Sequence, residues 1–144
     1  MTINLFKGPH QWLSNFWPCE VTLDGVTYPS VEHAYQAAKT EDLTVRTLIR
    51  NAHTAGAAKR LGKRVEIRPD WLEMRIQIMR DLVHQKFQHP ELREKLLATG
   101  EEELIEGNWW GDTFWGNCKG VGENRLGWIL MSERTNIRTK EEKR

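Results

Sequence analysis

The sequence predicts a predominantly α-helical α+β fold in a single domain with a small antiparallel β element, and three observations carry that expectation. Helical periodicity with capping residues recurs from residue 30 onward, and one hairpin signal stands before it. The length of 144 residues suffices for one hydrophobic core and is short for two. With 39% hydrophobic residues, 28% charged residues and seven tryptophans, the chain can bury enough apolar surface to fold, which excludes a disordered polymer.

The elements follow in order. In "CEVTLDGVTYPS", Val21, Leu23, Val26 and Tyr28 alternate around Asp24-Gly25, a two-residue hairpin turn. Pro29 ends the extended stretch and Ser30 caps a helix, "SVEHAYQAAK", rich in alanine. Thr40 offers a break and cap before "EDLTVRTLIRNAH", where Leu43, Thr47, Leu48 and Ile49 give a partial apolar stripe. "TAGAAKRLGKR" reads as a short helix closed at Gly62. The longest helix is expected in "RPDWLEMRIQIMRDLVHQKFQHP": Asp70 and Glu73 fit a capping box, and Trp71, Arg75, Ile78, Met79, Leu82, Val83, Lys86 and Phe87 trace one side. Pro90 interrupts it and starts "PELREKLLATG", which stops at Gly100. A last helix is expected over 123–133. The polar "RTNIRTKEEKR" that follows reads as frayed, so the domain is placed at 1–134 and a disordered tail at 135–144.

Several function classes are set aside. A net charge of +1 gives no global case for nucleic acid, although a local basic patch is compatible with it. No apolar run approaches the ~18 residues that span a bilayer, and the N-terminus has no signal-peptide pattern, so a cytoplasmic protein is expected, with no membrane partner. Cys19 and Cys118 form no CxxC pair and read as free thiols. The five histidines show no metal-ligand spacing, no GxSxG elbow occurs, and both GxGxxG and GxxxxGK[ST] are absent. No metal or organic cofactor is expected.

Two constellations could carry chemistry. Glu32 and Lys39 are seven residues apart, two helical turns, which places them on one face with Tyr35 and Gln36 between them. A carboxylate, a phenol, an amide and an amine would line a cleft wall there; the plainer reading is a solvated helix face. The second is "GNWWGDTFWGN", residues 107–117, where Trp109, Trp110, Phe114 and Trp115 surround Asp112. Tryptophan on a loop is a rigid stacking surface, and glycines such as Gly116 let the backbone approach a ligand. Asp112 would read a polar ring edge or a ribose hydroxyl, or it would only make an Asx turn under tryptophans that cover the core. The glycine-rich stretch from Gly116 to Gly127 and the cations Arg50, Lys59, Arg60, Lys63 and Arg64 are two weaker phosphate-binding candidates, the second also explicable as solvated surface.

Taken together and in order, "LSNFWPC", "YPSVEHAYQAAK", "IRPDWLEMRIQIMRDLVHQKFQHPELREKLLATG", "LIEG" and "GDTFWGNCKGVGENRLGWILM" resemble the NADAR, or YbiA-like, family, over nearly the whole chain up to about Arg134. The resemblance implies the compact, mainly helical YbiA-like fold and N-glycosidase activity. Some members hydrolyse ribosylamino intermediates of riboflavin synthesis, and others remove ADP-ribose from guanine amino groups. By position, it implies that Glu32, Lys39 and Asp112 are catalytic. Trp71, Trp115, Gly116 and Asn124 would contact substrate, with Asn15 and Phe16 at the border and Tyr35 and Gln36 joining from the helix face.

The implied partners are a ribosylamine phosphate or ADP-ribosylated guanine in DNA or RNA, the latter with an ADP-ribosyltransferase toxin as counterpart. Both substrate types join ribose C1 to an exocyclic amine. The expected chemistry is a Schiff base at Lys39, with Glu32 moving protons. The rivals are a non-catalytic ADP-ribose or nucleotide binder and a tryptophan loop that docks a protein partner.

Overall fold

The computed structural model describes residues 1–143, and its packing gathers into two compact units: residues 15–86, and residues 1–14 together with the chain from Phe87 onward. Helix dominates both.

In the unit of residues 15–86, strands β2 (Pro18–Leu23) and β3 (Val26–Ser30) form the expected antiparallel hairpin, with Val21 opposite Tyr28 and Leu23 opposite Val26. Its turn residues, Asp24 and Gly25, both have positive φ, which suits the right-handed twist of the strands. Ser30 caps helix α1 (Val31–Ala38) by accepting the His33 N–H. The His33 ring is fixed in turn between Ser30 Oγ and the Ala52 carbonyl.

Helix α2 (Leu43–Arg50) starts two residues later than the sequence suggests. Its cap is Asp42, whose carboxylate accepts from Thr44 and Val45, while the Thr40 hydroxyl accepts the Asp42 N–H. The expected stripe is also corrected: Leu43 and Leu48 are exposed, and the helix is anchored by Ile49 and by the buried Arg46, which holds the Thr40 carbonyl and Asp24. Helix α3 (Ala55–Gly62) is capped by Thr54, and Lys63 rather than Gly62 is its C-cap. Helix α4 (Trp71–Lys86) buries Trp71, Met79, Leu82, Val83 and Lys86. The Asp70 carboxylate expected to cap α4 instead takes the Arg68 guanidinium in a two-bond fork.

In the other unit, a 3-10 turn (Gly8–Leu13) buries Trp12 and Leu13, and Trp12 meets Phe87 edge to face. Helix α5 (Pro90–Ala98) ends before Gly100, at φ +63. Two parallel pairs of two residues each join distant segments: β1 (Thr2–Ile3) with β4 (Glu103–Leu104), and β5 (Gly107–Asn108) with β6 (Asn117–Cys118). Helix α6 (Arg125–Glu142) runs well past residue 133, which corrects the frayed tail. The reason is tertiary: Ile137 is buried, Arg134 donates to Thr99 Oγ1, and Arg138 donates to the Gly100 carbonyl. Both cysteines are free, and no helix among the described residues is long and apolar enough to cross a membrane.

Candidate functional site

The structure decides between the two readings of the Glu32 face. Every residue of α1 is buried, Glu32 itself at 7% exposure, so this is an enclosed polar face and not a solvated one. A buried carboxylate needs partners, and Gln36, one turn on, donates its Nε2 to Glu32 Oε1 at 2.8 Å. The other end of that amide, Gln36 Oε1, receives no hydrogen bond. It lies against Gly62 of α3, where a side-chain methyl would collide with it. Leaving a buried acceptor unfilled costs about 1–3 kcal/mol, which the fold tolerates while the amide is held on Glu32.

Lys39 follows α1 as its C-cap and is half-buried. Burial pushes its amine below the ordinary lysine value; the negative charge of Glu32 opposes that, and the positive charges of Lys59 and Lys63 reinforce it. Its Nζ lies 5.8 Å from the centre of the Tyr35 ring. Tyr35 packs in a tilted arrangement on Trp71, centroids 5.1 Å apart. At 6% exposure each, these rings offer edges rather than whole faces, so they brace the Lys39 wall more than they present a stacking surface.

Asn15 accepts the Glu32 N–H through its backbone carbonyl and places its side-chain amide on Met79 Sδ. Phe16 is 44% exposed, with Lys59 Nζ at 6.0 Å from its ring centre. One unit therefore brings together Asn15, Phe16, Glu32, Tyr35, Gln36, Lys39 and Trp71.

Asp112, Trp115, Gly116 and Asn124 belong to the other unit, where the geometry favours the structural reading of the loop. Asp112 Oδ1 accepts from the Phe114 and Trp115 N–H groups, an Asx-type turn. Asn108 clamps the same residue from outside, donating to the Asp112 carbonyl and accepting its N–H. Asp112 Oδ2 has no protein partner among the described residues.

Trp115 meets Phe114 edge to face. Gly116 is buried where Glu106 and Asn108 would strike any side chain. Asn124 adopts the left-handed conformation, and both ends of its amide are spent on the backbone, Oδ1 on Glu106 N–H and Nδ2 on the Leu104 carbonyl. Its side chain thus holds the loop in place, with one Nδ2 hydrogen and one Oδ1 lone pair engaged in doing so. Trp109 and Trp110 are 63% and 46% exposed and pack on each other, with Lys7 Nζ 3.6 Å over Trp109. The framing role of Glu106 and Asn108 has no sequence signature, because it depends on the non-local β5–β6 pairing.

Among the described residues, no three His, Cys, Asp or Glu side chains gather as a metal-ligand set. The unit of residues 15–86 instead presents a carboxylate with an oriented oxygen and a lysine depressed toward neutrality, a pairing suited to nucleophilic attack on an electrophilic carbon with proton transfer alongside.

Known proteins resemble this chain over most of its length. The NADAR domain family model matches residues 5–138. An N-glycosidase of Nostoc punctiforme is 40% identical over 147 aligned positions, covering 96% of this chain and 94% of that protein. N-glycosidase YbiA of Escherichia coli is 40% identical over 130 positions, covering 86% and 79%. A riboflavin biosynthesis protein of Vibrio vulnificus is 41% identical over 132 positions, covering 89% of this chain, which spans only 36% of that longer protein. The NMR structure of E. coli YbiA superposes with a TM-score of 0.85 at 33% identity, covering 100% of this chain and 90% of that one.

Proposed function

The chain belongs to the NADAR family, and from that premise we propose that it is an N-glycosidase, a hydrolase of the bond between ribose C1 and an exocyclic amine. The observation that supports this most is the buried Glu32, held by Gln36 on the helix that ends at Lys39, a lysine whose amine burial makes more nucleophilic. The preferred substrate is a small ribosylamino-pyrimidine phosphate, as the riboflavin biosynthesis relatives suggest. ADP-ribose on guanine offers the same bond in a second context. The site of action is the cytoplasm.

The reaction balances with one water. The Glu32 carboxylate takes the ammonium proton of Lys39 and, now the acid, protonates the ribose ring oxygen as the ring opens, while the amine nitrogen's lone pair forms an imine to C1. The neutral Lys39 amine adds to C1. A proton passed by way of Glu32 lets the heterocyclic amine leave with its electron pair, so the sugar is joined to Lys39 as a new imine. Water adds to C1, ribose departs as the aldehyde, and Lys39 is regenerated. Gln36 keeps the Glu32 carboxyl oriented throughout, and Tyr35 and Trp71 limit the motion of Lys39. No step requires a cofactor.

Borohydride added during turnover tests the covalent step. It reduces the sugar imine to a stable amine, so a peptide containing Lys39 should gain the mass of the reduced sugar. Repeated absence of the adduct, together with full activity of Lys39→Ala, would replace this route with direct hydrolysis by Glu32. If the protein binds ADP-ribose tightly yet releases no sugar from either substrate, it is a non-catalytic nucleotide binder.

A further inference from the structure

Lys59 and Lys63 stand beside Lys39, and the chemistry of bond cleavage gives them no part. They lie one turn apart, Lys59 within α3 and Lys63 as its C-cap in αR conformation, which brings them to one side of the helix. Gly62, lacking a side chain, lets α3 close onto α1 at Gln36 and draws both toward the end of α1 where Lys39 lies. Their charges act on Lys39 directly and lower the basicity of its amine. Lys59 also reaches the half-exposed ring of Phe16, and Phe16 approaches Gly56 at the start of the same helix. Lys63 is exposed and forms no ion pair among the described residues; neither does Arg60, whose guanidinium lies near Gly56. The negative C-terminal end of α3 accounts for basic residues in its last turn. It gives no reason for the charge of Lys63 to bear on a third ammonium, Lys39, across the packing of α3 on α1 at Gly62 and Gln36.

An anion between these groups does. We propose that Lys59 and Lys63 form the subsite for the phosphate on C5 of the ribose whose C1 reacts at Lys39, with Phe16 as the apolar edge beside the sugar. This rests on the N-glycosidase reading, because only the sugar ring separates C1 from a C5 phosphate and the two binders must therefore be neighbours. A phosphate monoester and the diphosphate of ADP-ribose share this chemistry.

Isothermal titration of the full chain with ribose, ribose 5-phosphate and ADP-ribose tests the subsite without turnover. Ribose 5-phosphate should bind at least about tenfold more tightly than ribose, the scale of one charge-assisted contact. Lys63→Glu and Lys63→Ala should remove that preference and leave ribose affinity unchanged, and Lys63→Arg should keep most of it. Tighter binding of ADP-ribose than of ribose 5-phosphate, lost in the same variants, also supports the subsite and assigns it to the diphosphate. Equal binding of ribose and ribose 5-phosphate, or equal loss of both in Lys63→Glu, overturns it.

Sugar release is scored separately. Cleavage by a protein without phosphate preference sinks the subsite and spares the glycosidase. Phosphate preference carried by Lys63, without cleavage, does the reverse.

Discussion

Lys86 is buried to 1% exposure at the end of α4, and burial brings its pKa down from 10.5 to about 7, against a partial opposing influence from Cys19. In the unfolded chain the same amine titrates near the ordinary lysine value. Between about pH 7 and 10.5 the unfolded state therefore holds a proton that the folded state has released, and stability rises with pH across that window. The slope for one proton is about 1.4 kcal/mol per pH unit. Lys39, also lowered, adds in the same direction, whereas the Cys19 thiol and the Tyr28 phenol, both raised by burial, reverse the trend only above their ordinary values.

From pH 7 to 8.5, then, unfolding should become harder by about 2 kcal/mol, several degrees in Tm for a chain of this size. Urea unfolding monitored by circular dichroism at three pH values in that range gives the slope. Lys86→Met should abolish most of it while keeping the helix packed. A flat profile for the natural chain, or an unchanged slope in Lys86→Met, would refute the claim that this amine is neutral in the folded state near pH 8.

Three further outcomes follow from the site. Activity should climb with pH as Lys39 loses its proton, with a midpoint below the ordinary lysine value of 10.5; Lys63→Ala should move that limb to higher pH, because a repelling charge is removed. Gly62→Ala sets a methyl against the Gln36 amide, so it should cost about 1–3 kcal/mol in urea unfolding and also lower kcat by loosening Glu32. Asp112→Ala strands the Phe114 and Trp115 N–H groups, for about 1–2 kcal/mol and a changed near-ultraviolet tryptophan signal, whereas Asp112→Asn keeps the accepting oxygen and should preserve the loop.

The local chemistry of the fold was legible in the sequence, and its long-range contacts were not. Asp24-Gly25 announces the hairpin, Ser30 the start of α1, and the run from Trp71 the longest internal helix, because each signal lies within a few residues of what it controls. The capping of α2 by Asp42 is hidden in the sequence because Thr40 offers an accepting side-chain oxygen two residues earlier and ends up capping the cap. Composition gave no hint that α6 continues to Glu142, since Ile137, Arg134 and Arg138 are held by Thr99, Gly100 and core packing some 35–38 residues away. The two-residue parallel pairs are too short to leave a period.

The candidate site divides in the same way. Helical spacing places Glu32, Gln36 and Lys39 on one face, and only the structure reveals that the face is enclosed. For Asn124 the resemblance implies a ligand contact, and only the structure reveals its bonds to the Leu104 carbonyl and the Glu106 N–H, which tie the loop to residues some 20 positions away.

The central claim is that Glu32 and Lys39 cleave a ribosylamine. The measurement that tests it most directly is the rate of sugar release from a ribosylamino-pyrimidine phosphate, followed by mass spectrometry, for the natural chain, Glu32→Gln and Lys39→Ala, alongside ADP-ribosylated guanine DNA as the second substrate. Release by the natural chain, reduced by about two to four orders of magnitude in both variants while they remain folded, is the predicted result. Undiminished release by the folded variants, or no release from either substrate by the natural chain, would contradict it.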